Sequence, residues 1–317
     1  MNQNPFSIRR IDLKEDLGQV ADLIAQCFDE NMDPDGRRFL DFLRSLAKDR
    51  SSLLRVLNDP LRAFSPLDGF ICRVDERLVG NISITPFKNG YERICFVSNV
   101  AVHPDFRLHG MATSLIREVE EFAKKSGFTS VWLQVRKDNE IARHLYNSID
   151  YQERASRTSW VSTKLPKHDI HSSSTLTFKP RRTQDWRQQE SWLNSNYPAT
   201  ITWQLELRSA EFSPKIIQSI SNTLSGRRYQ HISIWQGAQL YGVLTWQSSF
   251  RFADPLWLAV PQDGLALVVK EAIPYMQNYL MTKKPLIINL EDGMGEDVFL
   301  NGGFERLHTL IWMQKQL

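Results

Sequence analysis

The chain has 317 residues, of which 42% are hydrophobic and 24% charged, and its formal net charge is only +3. This length suits two domains rather than one, and the composition is that of a globular protein. The dispersed basic residues argue against nucleic acid as the main partner, and no apolar run approaches the roughly 20 residues that a membrane span needs.

Three cysteines, Cys27, Cys72 and Cys95, are widely spaced and have apolar neighbours. Such cysteines are typical of buried free thiols in a reducing compartment. The first residues contain no apolar stretch of the kind that a secretory signal carries. Neither the cysteines nor the seven histidines have metal-ligand spacing. We therefore expect a cytoplasmic protein, monomeric or homodimeric, with no metal site.

Strand and helix signals alternate through the first half of the chain. Apolar residues at helical spacing predict an amphipathic helix over 15–28 and a strong one over 111–126, which Gly127 ends. A second helix opens at Pro34, and 51–66 is predicted as a short helix with a loop. The other predicted elements are strands at 6–11, 69–74, 78–87, 91–102, 130–135 and 151–163, and a helix at 139–148.

The composition changes at residues 165–175, which are polar and include three consecutive serines. We predict a linker at 166–175. The order of elements then starts again, with strands at 176–180, 232–235, 240–246, 256–260 and 286–290, a mostly helical stretch at 265–280 and a final helix–strand pair. We therefore expect two tandem copies of one α/β fold, a catalytic domain at 1–165 and a second domain at 176–317.

The segment Val100–Thr113 carries the strongest chemical signal. An apolar strand ends before Pro104, a short polar loop follows, and Gly110 precedes a helix. The first turn of a helix presents unpaired N–H groups and a positive dipole end, and glycine lets an anion approach the backbone. Arg107 adds a guanidinium that is able to contact phosphate oxygens. This pattern predicts a pyrophosphate site.

The stretch Val102–Ala112 resembles the V-x-P-x-x-[RQ]-x-x-G-x-[GA] signature of the GCN5-related N-acetyltransferase (GNAT) family. Downstream, Asn139–Tyr146 resembles that family's second motif, N-x-x-A-x-x-x-Y. The resemblance implies the GNAT fold, a mixed central sheet flanked by helices, and acetyl-CoA as cosubstrate. One departure is Asp150, which stands where the family usually has glycine; Asp tolerates a left-handed backbone, so we expect the turn to survive.

The resemblance also implies roles for individual residues. The end of the strand would part from its neighbour to take the pantetheine arm, the loop amides would hold the pyrophosphate, and the Tyr146 hydroxyl would protonate the departing thiolate. The implied cofactor-binding residues are Val100, Ala101, Val102, Arg107, Leu108, His109, Gly110, Met111, Ala112, Thr113, Asn139, Ala142 and Tyr146. The backbone N–H near Val100 would stabilise the oxyanion.

No residue stands out as the general base that a protonated amine requires. The alternatives are Glu92 earlier on the strand, His103 just past its end, and a water chain relayed through Ser98. The predicted reaction is direct transfer of an acetyl group to a primary amine of a small molecule or a protein. A non-catalytic acyl-CoA sensor and an enzyme with a longer acyl donor remain alternatives.

Two further expectations concern the acceptor and the second half. The loop at 29–35 carries Asp29, Glu30, Asp33 and Asp35, which could attract a cationic amine or merely cap a helix. In the second half, the counterpart of the signature is Val260–Ala266, which is shorter, lacks an arginine and contains an aspartate. The position of Tyr146 falls on Leu300 or Phe299. We therefore predict that the second half does not bind CoA productively.

Overall fold

A computed structural model describes residues 6–28, 32–58, 66–162, 176–205, 207–215, 226–273, 280 and 282–317. The predicted linker at 166–175 lies outside these residues. The chain divides into two compact units, of which unit 1 comprises Met1–Arg154 with Ile311–Leu317 and unit 2 comprises Ala155–Leu310.

Unit 1 contains a sheet whose strands follow chain order. Its strands are β1 (Ser7–Arg10), β2 (Asp68–Val74), β3 (Arg77–Asn89), β4 (Glu92–Val102) and β5 (Ser130–Arg136). The first four strands run antiparallel, whereas β4 and β5 are parallel. The helices are α1 (Leu17–Phe28), α2 (Pro34–Lys48), α3 (Arg50–Leu57), α4 (Met111–Lys125) and α5 (Glu140–Ser148). The mixed sheet that the sequence predicts is confirmed.

Helices cover both faces of this sheet. Phe70 and Cys72 of β2 belong to the apolar cluster that α4 completes, whereas Ile71 between them belongs to the cluster of α1 and α2. Successive strand residues point to opposite faces, so α4 and the α1–α2 pair lie on opposite sides. The apolar positions of α4, among them Leu115 and Val119, are fully buried at helical spacing.

Unit 2 is likewise built of strands and helices. Its strands come from β6 (Gln152–Ser162), β7 (Leu176–Pro180), β8 (Tyr229–Gln236), β9 (Gln239–Gln247), β10 (Asp254–Ala259), β11 (Leu286–Glu291) and β12 (Phe304–Gln316). Its helices include α6 (Trp186–Asn196), α7 (Ala199–Leu205), a short helix Leu265–Leu267 that continues as a π-helical turn, and Glu296–Asn301. The sequence patterns did not predict α6 or α7.

The boundary between the two units does not coincide with the change in composition at residues 165–175. Most of β6 belongs to unit 2, where Arg157–Val161 pair with β11, and not to the predicted domain at 1–165. The end of β12 belongs to unit 1, where Gln314 donates to Glu92 and the Leu317 N–H donates to the Thr129 carbonyl. Alternating apolar residues predict a strand but not its partner, so the sequence could not reveal this exchange.

A half-buried histidine makes unit 2 sensitive to acid. Burial, with a smaller effect of Arg181, lowers the pKa of His231 to about 3, and its ring contacts Thr245. The unfolded chain takes up this proton below its usual pKa near 6.5 and the folded protein does not, so stability falls as the pH drops below that value. Between pH 7 and pH 5 we expect His231 to account for a loss of about 2 kcal/mol in the free energy of unfolding. Urea unfolding of His231→Gln should lack this loss, whereas the same change at the exposed His144 should retain it.

Candidate functional site

Strands β4 and β5 separate at the predicted pantetheine site. Their parallel pairing runs from Ile94–Ser130 to Val97–Leu133 and goes no further, although β5 continues to Arg136. Val102 and Ala101 pair only with β3 on the other side. The end of β4 therefore has a free edge, meaning that no strand among the described residues pairs with it on the β5 side. An extended ligand arm could bind along this edge.

A bulge interrupts β4 just before this free edge. Ser98 pairs with Ser83 and Ala101 pairs with Asn81, so two residues of β4, Asn99 and Val100, face one residue of β3. Asn99 has a φ of 51°, in the left-handed region that asparagine tolerates. Neither Asn99 nor Val100 has a partner in the β3–β4 register.

The loop after β4 ends in an open helix N-terminus. Leu108 and Gly110 both have left-handed backbones, with φ of 66° and 76°, and Gly110 is the residue that caps α4. A Cβ placed on Gly110 would meet no protein atom within 4 Å. The N–H groups of the first helical turn, Met111–Thr113, therefore lie beside open space, as an anion site requires.

The side chains of this loop and of the first helical turn differ in exposure and in their contacts. Leu108 is fully exposed, Met111 is buried in the core, and Ala112 and Thr113 are half-buried. His109 contacts the Arg107 carbonyl at 2.7 Å. The Nε of Arg107 donates to the Val102 carbonyl at 3.2 Å, so this arginine ties the loop to the end of β4.

Helix α5 brings the second motif to the same unit. The side-chain Oδ1 of Asn139 caps the helix by accepting from the Ala142 N–H at 3.1 Å, which leaves the NH₂ of Asn139 as a donor. Tyr146 is 6% exposed, and burial raises its pKa. The departure at Asp150 behaves as expected, because its φ of 71° is left-handed. Its neighbour Tyr151 packs beside Tyr146, with ring centroids 5.9 Å apart.

The three base candidates are not equivalent. Glu92 lies six residues before Ser98, about 20 Å along the strand, and accepts from Ser130 and Gln314. This position removes Glu92 from the site and corrects its inclusion there. The Nδ1 of His103 accepts from the Asp105 N–H, and its Nε2 contacts Arg77. The Ser98 hydroxyl is buried and makes no hydrogen bond with the described residues.

A cavity of about 820 Å³ lies between α1, α2 and the loop that follows β4. Its charged lining residues are Arg37, Arg44, Arg107 and Asp41. The described carboxylates of the acidic loop, Asp33 and Asp35, do not line this cavity. Asp33 caps α2 by accepting from the Gly36 N–H, Asp35 pairs with Arg38, and Asp29 and Glu30 lie outside the described residues.

The strand of unit 2 that corresponds to β4 is β10, which has no bulge and whose backbone is hydrogen-bonded by other residues of unit 2. It pairs with β9 without interruption, and the Leu258 N–H donates to the Tyr197 hydroxyl at 3.2 Å. The Asn196 amide donates to the Leu258 and Val260 carbonyls at 2.9 and 3.0 Å. These contacts come from the end of α6. The Leu258 N–H and carbonyl, the counterparts of those of Val100 on the free edge of β4, are therefore already bonded within unit 2.

The remaining features of unit 2 also differ from those of unit 1. A Cβ on Gly264, the counterpart of Gly110, would lie 3.1 Å from both Pro261 and Tyr241, so no open space remains there. Of the two positions aligned with Tyr146, Phe299 is fully buried and Leu300 is half exposed. The buried counterpart of Tyr146 is thus a phenylalanine, which has no hydroxyl.

The described helices include none long and apolar enough to cross a bilayer. Within the same residues, no cluster of His, Cys, Asp and Glu has the size of a metal site.

Comparison with known families gives a match to unit 1. Residues 36–151 match the acetyltransferase (GNAT) family. The ribosomal protein bS18-alanine N-acetyltransferase of Escherichia coli is 31% identical over 71 residues, which is 22% of this chain and 48% of that enzyme. An acetyltransferase of Pectobacterium atrosepticum is 29% identical over 110 residues, 33% of this chain and 75% of that protein. The chain thus spans about half the length of the first of these curated relatives.

Solved structures share the fold over the whole chain. A tandem GNAT protein from the clavulanic acid biosynthesis pathway superposes with a TM-score of 0.52 at 16% identity, covering 98% of both chains. A GCN5-related N-acetyltransferase from Sphaerobacter thermophilus gives a TM-score of 0.58 at 14% identity, covering 100% of this chain and 97% of that one. At such identities the likeness concerns the fold, and it supports the tandem arrangement.

Proposed function

From the match of residues 36–151 to the acetyltransferase (GNAT) family, we propose that unit 1 transfers an acetyl group from acetyl-CoA to a primary amine. The observation that carries the proposal is the open helix N-terminus at Gly110 beside the free edge of β4. A pyrophosphate fits the N–H groups of that first turn, and a pantetheine arm fits the free strand edge.

The proposed reaction is direct. The neutral amine nitrogen forms a bond to the thioester carbonyl carbon, and the carbon–sulfur bond breaks. The Val100 N–H stabilises the oxyanion, and the Tyr146 hydroxyl gives its proton to the departing thiolate. Because burial raises the pKa of Tyr146, this phenol stays protonated through the neutral range. The proton that the amine loses leaves through water and the Ser98 hydroxyl, and an equivalent proton returns to Tyr146.

Unit 2 does not bind CoA in this proposal. Its Leu258 N–H and carbonyl are already bonded by Tyr197 and Asn196, and its glycine is closed in by Pro261. Binding there would break these buried hydrogen bonds without replacing all of them. One acetyl-CoA molecule per chain is the expected stoichiometry.

The acceptor is proposed to carry an anionic group. Arg37 and Arg44 lie seven residues apart and therefore on one face of α2, and Arg107 completes a lining of three cations and Asp41. Arg44 also pairs with Asp22 at 3.3 Å, so Arg37 and Arg107 supply the excess of positive charge. A carboxylate bound there gains charge-assisted hydrogen bonds. The sequence-based hypothesis of an acidic surface for a cationic acceptor stays a prediction, because Asp29 and Glu30 lie outside the described residues, although Asp33 and Asp35 are engaged elsewhere.

Release of free thiol from acetyl-CoA tests both proposals. The acceptor panel pairs amino acids and short peptides with their C-terminal amides. We expect turnover, with kcat/KM about tenfold higher for the carboxylates. Replacing Arg37 and Arg44 by Gln should remove this preference, whereas Arg50→Gln on the exposed start of α3 should keep it.

The possible outcomes separate the alternatives. Tight acetyl-CoA binding without turnover on any amine would favour a sensor, and faster turnover with longer acyl-CoA would favour a different donor. Turnover that prefers the amides would remove the anionic acceptor but leave acetyl transfer intact.

A further inference from the structure

A buried polar group on β3 holds the bulge of β4. The Asn81 side chain is 1% exposed, and its NH₂ donates to the Asn99 carbonyl at 3.0 Å. The Asn99 side chain in turn donates to the Ser83 hydroxyl at 3.2 Å. Asn81, Ser83 and Asn99 thus form a small polar network across the two strands at the bulge.

The network supplies a hydrogen bond to a backbone group that the bulge leaves without its usual partner. A bulge interrupts the regular ladder of hydrogen bonds, and a buried carbonyl left without a donor is costly. Asn81 provides that donor for the Asn99 carbonyl. The left-handed backbone of Asn99 (φ 51°) is also unfavourable for most residues and persists only where its surroundings fix it.

Unit 2 provides an internal comparison. Gly80-Asn81 of β3 corresponds to Gly242-Val243 of β9, because Asn81 pairs with Ala101 and Val243 pairs with Ala259. Where valine replaces asparagine, the facing strand β10 keeps a regular register over Leu256–Ala259. The N–H of its Leu258, the counterpart of Val100, is bonded within the protein.

We propose that Asn81 is a positioning residue that fixes the β4 bulge and thereby directs the Val100 N–H toward the thioester carbonyl of acetyl-CoA. This inference rests on the proposed function of unit 1. Asn81 acts through the backbone of Asn99 and does not itself contact the substrate in this proposal. Loss of the Asn81 donor should weaken the contact to the acetyl group and spare the contacts to the rest of CoA.

The test compares acetyl-CoA with CoA and needs no acceptor. In the wild-type protein, [1-¹³C]acetyl-CoA should show a downfield shift of its carbonyl resonance on binding, because a hydrogen bond polarises the carbonyl. In Asn81→Val this shift should disappear, and the affinity for acetyl-CoA relative to CoA should fall about fivefold, the equivalent of one hydrogen bond. The affinity for CoA itself should not change.

Two further variants complete the design. Asn81→Leu keeps the approximate size of the side chain but has no donor, so it should behave like Asn81→Val. Thr85→Val replaces another buried polar residue of β3 by valine and should retain the carbonyl shift. CoA affinity and the thermal transition report on folding in every variant.

The outcomes distinguish the two levels of the proposal. If the wild-type protein binds no acetyl-CoA, the proposed function fails. If it binds with the carbonyl shift, and Asn81→Val and Asn81→Leu show the same shift and the same affinity ratio, the role of Asn81 is refuted while the proposed function stands.

Discussion

Replacing Gly110 by Asp is expected to weaken acetyl-CoA binding about 100-fold while the protein stays folded. The left-handed backbone of Gly110 (φ 76°) is one that Asp adopts with little strain, as Asp150 does in the same unit. The new side chain meets open space rather than protein atoms. Its carboxylate would stand where the pyrophosphate is proposed to bind, and such a like-charge contact costs several kcal/mol. Isothermal titration with acetyl-CoA measures the effect.

Gly90 offers a closely matched control. It too has a left-handed backbone, with φ of 59°, and a Cβ placed on it would meet no atom within 4 Å. It lies in the β3–β4 turn, at the opposite end of β4 from the loop that carries Gly110. Gly90→Asp therefore introduces the same charge and the same backbone demand and should bind acetyl-CoA normally. Undiminished binding by Gly110→Asp would place the phosphates elsewhere and would contradict the proposed site.

Replacing Tyr146 by Phe is expected to lower kcat about 100-fold and to leave the affinity for acetyl-CoA nearly unchanged. A positioned general acid contributes roughly 10²–10⁴ to the rate of such a reaction. The ring of Tyr146 is buried and makes most of its contacts through apolar atoms, so the variant should fold. Free-thiol release with an acceptor from the panel gives kcat, and titration gives the affinity.

The neighbouring Tyr151 controls for loss of a buried hydroxyl. Its ring lies 5.9 Å from that of Tyr146, and it is 2% exposed. Tyr151→Phe removes the same atom from the same part of the core and should keep wild-type kcat. Equal losses in the two variants would assign Tyr146 a packing role and would leave the thiolate to be protonated by water.

Much of the candidate acetyl-CoA site was predictable, because the sequence signals for it are local. Gly110 before an apolar helix and Pro104 after an apolar strand are read from neighbouring residues, and their predicted structures are confirmed. The left-handed backbone at Asp150 was predicted from a single departure in a motif. Local chemistry of this kind depends on the backbone alone and needs no knowledge of distant partners.

The features that sequence reasoning missed depend on long-range packing. Glu92 was a plausible base by residue type, but strand geometry carries it away from Ser98. Asn81 showed no signal, because only the fold reveals that it bonds the Asn99 carbonyl. Helix α6 has few apolar residues at regular spacing, so its existence and the role of its end, Asn196 and Tyr197, were not predicted. A comparison of Gly80-Asn81 with Gly242-Val243 would have been the one available clue.

Because residues at the end of the chain complete unit 1, unit 1 cannot finish folding before unit 2 has been synthesised. Unit 1 includes Ile311–Leu317, which the ribosome adds only after all of unit 2. The first half of the nascent chain must therefore wait with an unfinished sheet while the second half is synthesised. A truncation after unit 1's first 154 residues would therefore also remove the strand residues that complete unit 1, whatever unit 2 itself does.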